Sequence, residues 1–146
     1  MVNLHIKNFD ELTVCELHDI LKARVAIFVV EQKCAYQEID GFDTKAIHVW
    51  LEENGKILSY LRILPKGCHF DNVSIGRVIS VRRSGGFGKQ VLEEGIKVAH
   101  EKLNATEIVL EAQVYAQGFY EKSGFVKMSD DYLVDGIPHI MMKRCD

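Results

Sequence analysis

Long apolar runs are missing from this sequence: the longest, Val25–Val30, falls far short of the roughly 20 residues that cross a bilayer. No membrane-spanning helix is therefore expected. Met1–Asp10 sets His5, Lys7 and Asp10 among isolated apolar residues and lacks the continuous apolar core of a secretory signal, so a cytoplasmic location is expected. Cysteine is sparse, and Cys15, Cys34, Cys68 and Cys145 include no Cys-x-x-Cys pair, which speaks against a zinc clip or a redox couple. The six histidines are dispersed as well, so no metal site is expected. Pro65 and Pro138 are the only prolines, leaving no proline-rich linker, and neither an internal repeat nor a low-complexity tract is present. Excess basic charge is absent too: 18 Lys and Arg against 21 Asp and Glu give a formal charge of -3, without the field that draws nucleic acid. What is there is ordinary globular composition, 47% hydrophobic and 27% charged over 146 residues, which suits one domain spanning residues 1–146.

Periodicity outlines the elements. Val2, Leu4 and Ile6 alternate as a half-buried strand, and Asp10 is placed to cap a helix over Glu11–Phe28. Glu31–Lys45 keeps no apolar period and contains Asp40-Gly41, so it reads as an acidic loop. Ile47–Glu53 and Lys56–Leu64 flank Asn54-Gly55, the signal of a type I′ hairpin. Val73–Val81 reads as a strand in which Val78 is out of phase, as a buried strand or a bulge would give. Apolar residues at helical spacing follow from Gly86 to Leu103, then a strand from Ile108, a short helix over Tyr115–Lys122 capped by Gly124, and strands at Phe125–Met128 and Ile137–Lys143. This order predicts an α+β or α/β domain built on one mixed sheet.

Arg83-Ser84-Gly85-Gly86-Phe87-Gly88-Lys89 joins a predicted strand to the first turn of a predicted helix. Glycines let a ligand approach the main chain, and the unpaired N–H groups of a helix start favour an anion, so a phosphate site is one reading. A tight bend with no ligand accounts for the glycines equally well. A Walker A loop is excluded, because Gln90 follows Lys89 where Ser or Thr is required and Arg83 occupies the upstream glycine position. The dinucleotide fingerprint fails for want of a third small residue after Gly88.

The pattern Gln/Arg-x-x-Gly-x-Gly/Ala, met by Arg83, Gly86 and Gly88, resembles the pyrophosphate loop of the GCN5-related N-acetyltransferases, the GNAT superfamily. Downstream, Ala116-Gln117-Gly118-Phe119-Tyr120-Glu121-Lys122-Ser123-Gly124-Phe125 is similar to that family's A-x-x-F-Y-x-x-x-G-F segment. Phe28-Val29-Val30-Glu31-Gln32, Tyr36-Gln37-Glu38-Ile39-Asp40-Gly41 and Asp135-Gly136-Ile137-Pro138-His139 resemble the ElaA-like subfamily. The sequence departs from the family in the loop from Arg77-Val78-Ile79-Ser80 to Gly88, which is about two residues shorter than usual, and at Ser84, which stands where the family commonly has Gly. The resemblance covers nearly the whole chain and implies a sandwich-like α+β fold, a mixed, mostly antiparallel central sheet flanked by helices.

It also implies acetyl-CoA as cofactor and acetyl transfer to an amine, on a small molecule or a protein, by direct attack without an acyl-enzyme. By the same resemblance the backbone of Val78, Ile79 and Ser80 pairs with the pantetheine arm. Arg83, Ser84, Gly85, Gly86, Phe87, Gly88 and Lys89 form the pyrophosphate loop, Gln113 contacts CoA and Lys122 approaches a CoA phosphate. Tyr120 is the expected general acid, although its helical spacing with Ala116 and Phe119 also suits core packing. For the general base Glu31, Glu111 and His139 are chemically suited, and a water would serve instead. Lys122 also reads as a solvated charge. Glu38, Asp40 and Asp43 either form a solvated loop or draw a cationic amine to the site. A cysteine nucleophile is disfavoured, because Cys68 and His69 are sequence neighbours that would diverge on a strand. The alternative function is a non-catalytic CoA-binding or protein-interaction module on the same fold, and monomer and homodimer both stay open.

Overall fold

Asn54 and Gly55 both adopt left-handed backbone, φ 53° and 76°, and this turn folds β2 (Ile47–Glu53) against β3 (Lys56–Leu64). Around that hairpin a computed structural model, which describes residues 1–146, assembles β1 (Asn3–Asn8), β4 (Val73–Ser80), β5 (Glu107–Gln113), β6 (Val126–Lys127), β7 (Tyr132–Val134) and β8 (Ile137–Cys145). The eight strands form one sheet in the order β1-β2-β3-β4-β5-β8-β6, with β7 also on β8. All neighbours are antiparallel except β4 and β5, which makes the sheet mixed and mostly antiparallel, as the sequence implied. The unforeseen strand is β7. Asp135 and Gly136, φ 50° and 77°, turn it into β8 by the same chemistry as Asn54-Gly55.

Alternation sorts the central strands into two faces. Val49, Leu51, Leu61 and Ile63 face α2 (Phe87–Leu103) and pack with its Val91, Leu92 and Ile96. Gly95 lets the helix approach: a Cβ there would sit 2.7 Å from Leu61 Cδ2. On the other face Trp50, Tyr60 and Ile79 meet Ile20 of α1 (Val14–Val25). This helix starts later than the expected Glu11, because Thr13 and Glu16 form a capping box that outcompetes Asp10. Its end also differs from the expected Phe28. Ala26–Glu31 widen into a π-helical turn, closed by Gln32 N to Ile27 O (3.1 Å) and Cys34 N to Val29 O (3.1 Å).

β4 leaves β5 after two pairs, Val73 with Ile108 and Ser74 with Val109. Along β3, Arg62 pairs with Gly76 while Tyr60 pairs with Ile79, so β4 carries one extra residue and bulges at Arg77 and Val78. Arg77 takes φ 52°, a left-handed conformation that costs a non-glycine residue roughly 1–2 kcal/mol. The parted strands open a cleft through the sheet, with α3 (Gln117–Glu121) following β5 on the far side.

Candidate active site

One part of the cleft holds about 540 Å³, lined by Val78, Ile79 and Ser80 of β4, Arg83, Gly86, Phe87, Gly88 and Lys89 of the glycine segment, and Phe119 and Tyr120 of α3. Gly85 and Gly86, φ 93° and 75°, bend the chain out of β4 so that α2 starts at Phe87 facing this space. The first intrahelical bond comes from Gln90 N to Gly86 O at 3.0 Å, so the amides of Phe87, Gly88 and Lys89 precede the helical ladder. No acidic side chain lies in this first turn, leaving its positive dipole end unneutralised. Gly88 faces Ser80, and a Cβ would reach to 3.5 Å of the Ser80 Cβ, into the space against the β4 backbone. Free amides, an uncompensated helix start, and Arg83 and Lys89 at the rim fit the diphosphate of coenzyme A.

A second part of the cleft is a chamber of about 300 Å³ that shares Phe28, Gln32, Val78, Tyr115, Ala116 and Tyr120 with the first cavity. Glu111 and His139 line it with Arg77, Asp40, Cys34 and Asp135. Glu111 accepts a hydrogen bond from the Tyr132 hydroxyl at 2.7 Å, and His139 Nδ1 donates to Ile137 O at 2.7 Å. Cys34 Sγ lies 3.6 Å from Asp135 O, so the loop after α1 meets the β7–β8 turn over the chamber. Tyr120 sits between the two spaces and in the core, edge-on to Phe119 and Phe125. Its phenol is pushed well above the ordinary tyrosine value by burial, with a smaller push from Tyr115.

Glu38 and Asp43 are buried rather than solvated, which corrects the expectation of a solvated loop, while the partly exposed Asp40 lines the chamber with its charge held by Arg62 and Arg77. Arg24, 0% exposed, reaches Glu38 at 2.7 Å and Asp43 at 2.6 Å. Arg62 holds Asp40 through two bonds (2.6 and 2.8 Å) and Asp43 at 3.0 Å, and Arg77 lies 2.9 Å from Glu38 and 3.3 Å from Asp40. Three arginines, one each from α1, β3 and β4, neutralise three loop carboxylates. Burial alone would raise Asp40 and Asp43, but the bonds and charges of Arg62 and Arg77 on the first, and of Arg24 and Arg62 on the second, hold both below the usual range. His48 completes the network, bonded to Tyr60 (2.7 Å) and Asp43 O (3.0 Å), and burial keeps its pKa low.

The remaining expected site residues separate. Glu31 is exposed on the 540 Å³ side and pairs with Arg83, apart from the chamber that holds Glu111 and His139. Gln113 lies in the smaller chamber and exchanges amide bonds with Gln32 (3.0 and 3.3 Å). Ser84 and Gly85 shape the bend without lining either space, and exposed Lys122 lines neither. Phe28 and Gln32 were missed because only the π turn after α1 directs them to the cleft, which no apolar period reports.

A cleft between parted parallel strands, fed by a glycine-rich helix start, belongs to the GNAT acetyltransferases, and this chain is a member of that family: residues 16–145 match the acetyltransferase (GNAT) domain model. Among individual proteins it is similar to Protein ElaA of Escherichia coli, 35% identical with 99% of this chain and 97% of that protein covered. A UPF0039 protein of Schizosaccharomyces pombe is 41% identical, covering 94% and 93%. The crystal structure of an acyl-CoA N-acyltransferase from Pseudomonas aeruginosa superposes with a TM-score of 0.90 at 39% identity, over 98% of this chain and 99% of that one. That of E. coli ElaA gives 0.90 at 35% identity over 99% of both. The fold is that of the acyl-CoA N-acyltransferases, and it implies a CoA-based substrate.

Proposed function

We propose that this protein is an N-acetyltransferase that takes the acetyl group from acetyl-CoA and passes it directly to the amine of a small molecule. The observation that carries this reading is that Tyr120 lines both the cavity at the start of α2 and the chamber holding Glu111 and His139. The helix-start amides of Phe87, Gly88 and Lys89, with Arg83 and Lys89, grip the diphosphate. Bound there, acetyl-CoA supplies a thioester whose carbonyl carbon an amine can attack. The main chain of Val78–Ser80 aligns the pantetheine arm beside the bulge and donates to the oxygen that gathers charge.

On the chamber side Glu111 is the favoured base: it takes the proton of the incoming ammonium, directly or through a water, while Tyr132 orients its carboxylate. Tyr120 keeps its proton at neutral pH because burial opposes the phenolate. It passes its proton to sulfur as the carbon–sulfur bond breaks and is reprotonated by the second proton that the attacking nitrogen sheds, so the products are an amide and the free thiol. The chamber volume, and the contact of Cys34 with Asp135 above it, favour a compact acceptor over a protein surface.

The test is thiol release from acetyl-CoA with a panel of small amines and of lysine peptides, repeated with Tyr120→Phe. Release with a small amine, lost in the variant, is the expected result. Binding of acetyl-CoA without release from any amine would leave a binding module, and release with peptides alone would overturn the small-acceptor reading.

A further inference from the structure

The bulge in β4 is fastened from outside the sheet, by a side chain that the chemistry above does not use. Arg77 stands in left-handed backbone at the bulge itself, and Val78, the next residue, lines both cavities. Its guanidinium sits over the Tyr36 ring at 5.7 Å, with Nε 2.9 Å from the Glu38 carboxylate and Nη2 3.0 Å from Glu38 O. Glu38 is itself fixed, buried against Arg24 and hydrogen-bonded by the Tyr36 hydroxyl. The planar fork of arginine makes this a directional clamp, since two N–H groups point at two oxygens of one residue.

We propose that Arg77 is a positioning residue: gripped by Glu38, it sets the angle of the β4 bulge and so aims the following main-chain amide at the acyl oxygen. It thereby ties acyl activation to the loop that walls the acceptor chamber. The inference rests on the N-acetyltransferase reading above. A bulge left to itself would relax toward extended backbone, which is more favourable for a non-glycine residue, and the amide would turn with it.

The experiment uses acetyl-CoA labelled with carbon-13 at the acetyl carbonyl, with no amine present, so that no acceptor needs to be known. A hydrogen bond to the bound oxygen moves the carbonyl resonance downfield of its position in free acetyl-CoA. The wild type is expected to show that shift. Arg77→Gln and Glu38→Gln are expected to lose most of it while binding acetyl-CoA with unchanged affinity, and Arg77→Lys and Tyr36→Phe to keep part of it. Where Arg77→Gln does not fold, judged by thermal melting, the two milder variants carry the comparison. A full shift retained in every folded variant would reduce Arg77 to a structural role, and so would a wild type that binds without any shift. A wild type that does not bind acetyl-CoA at all would instead remove the functional reading itself.

Discussion

Tyr120 shows how one residue serves packing and chemistry together. Its ring is in the core against Phe125, and the residue lines both cavities. Tyr120→Phe keeps the ring, so the melting temperature should hold while turnover falls about 10²–10⁴-fold, as loss of a proton donor does. Because burial raises the phenol, its proton should persist past the ordinary value near 10, and the pH profile of turnover should show no Tyr120 limb below about pH 10. The base candidates divide by position. Glu111→Gln should lower turnover at saturating acetyl-CoA, whereas Glu31→Gln, which frees Arg83 from a competing carboxylate, should not weaken acetyl-CoA binding and should leave saturated turnover near wild type. Steady-state kinetics in both substrates separate the two, and the reverse pattern would reassign the base.

Among the elements, α2 has the most to lose. A methyl at Gly95 would drive into Leu61, which is wholly buried, so Gly95→Ala should cost about 1–3 kcal/mol, read as a lower melting temperature. Gly88 is different: its Cβ would meet Ser80 at an ordinary 3.5 Å, so Gly88→Ala should leave folding nearly intact. The added side chain enters the 540 Å³ cavity, and acetyl-CoA affinity measured by calorimetry should collapse. These elements were legible because their signals are local. Asn54-Gly55 announced the hairpin, and the glycines after Arg83 announced the bend into α2. Asp135-Gly136 carried the same turn signal for β7, a strand of only three residues whose apolar pattern is too short to register. The late start of α1 was equally readable in the Thr13–Glu16 box.

For the whole molecule, the cluster of Arg24, Arg62 and Arg77 with Glu38, Asp40 and Asp43 joins α1, β3, β4 and the loop that walls the chamber. Asp40 and Asp43 titrate below their unfolded values, so their contribution is complete above about pH 4 and is lost as pH falls through the lower folded values. Melting temperature should therefore drop steeply on acidification below about pH 4. Added salt at neutral pH should weaken the pairs among Arg24, Arg62, Glu38 and Asp43 little, because these four side chains are buried. Arg24→Ala, which takes from buried Glu38 and Asp43 one of the two arginines that each contacts, should cost about 3–5 kcal/mol in denaturant unfolding.

The amino-acid order by itself determined the single mixed sheet, the hairpin turns, the anion-ready start of α2 and the family, because these follow from near-neighbour backbone geometry and short motifs. It could not decide that Glu38 and Asp43 of the acidic loop are buried, since each is neutralised by arginines at least 14 residues away. Nor could it divide Glu31 from Glu111. Their places in different parts of a cleft exist only once β4 bulges away from β5, and that separation arises where distant strands meet.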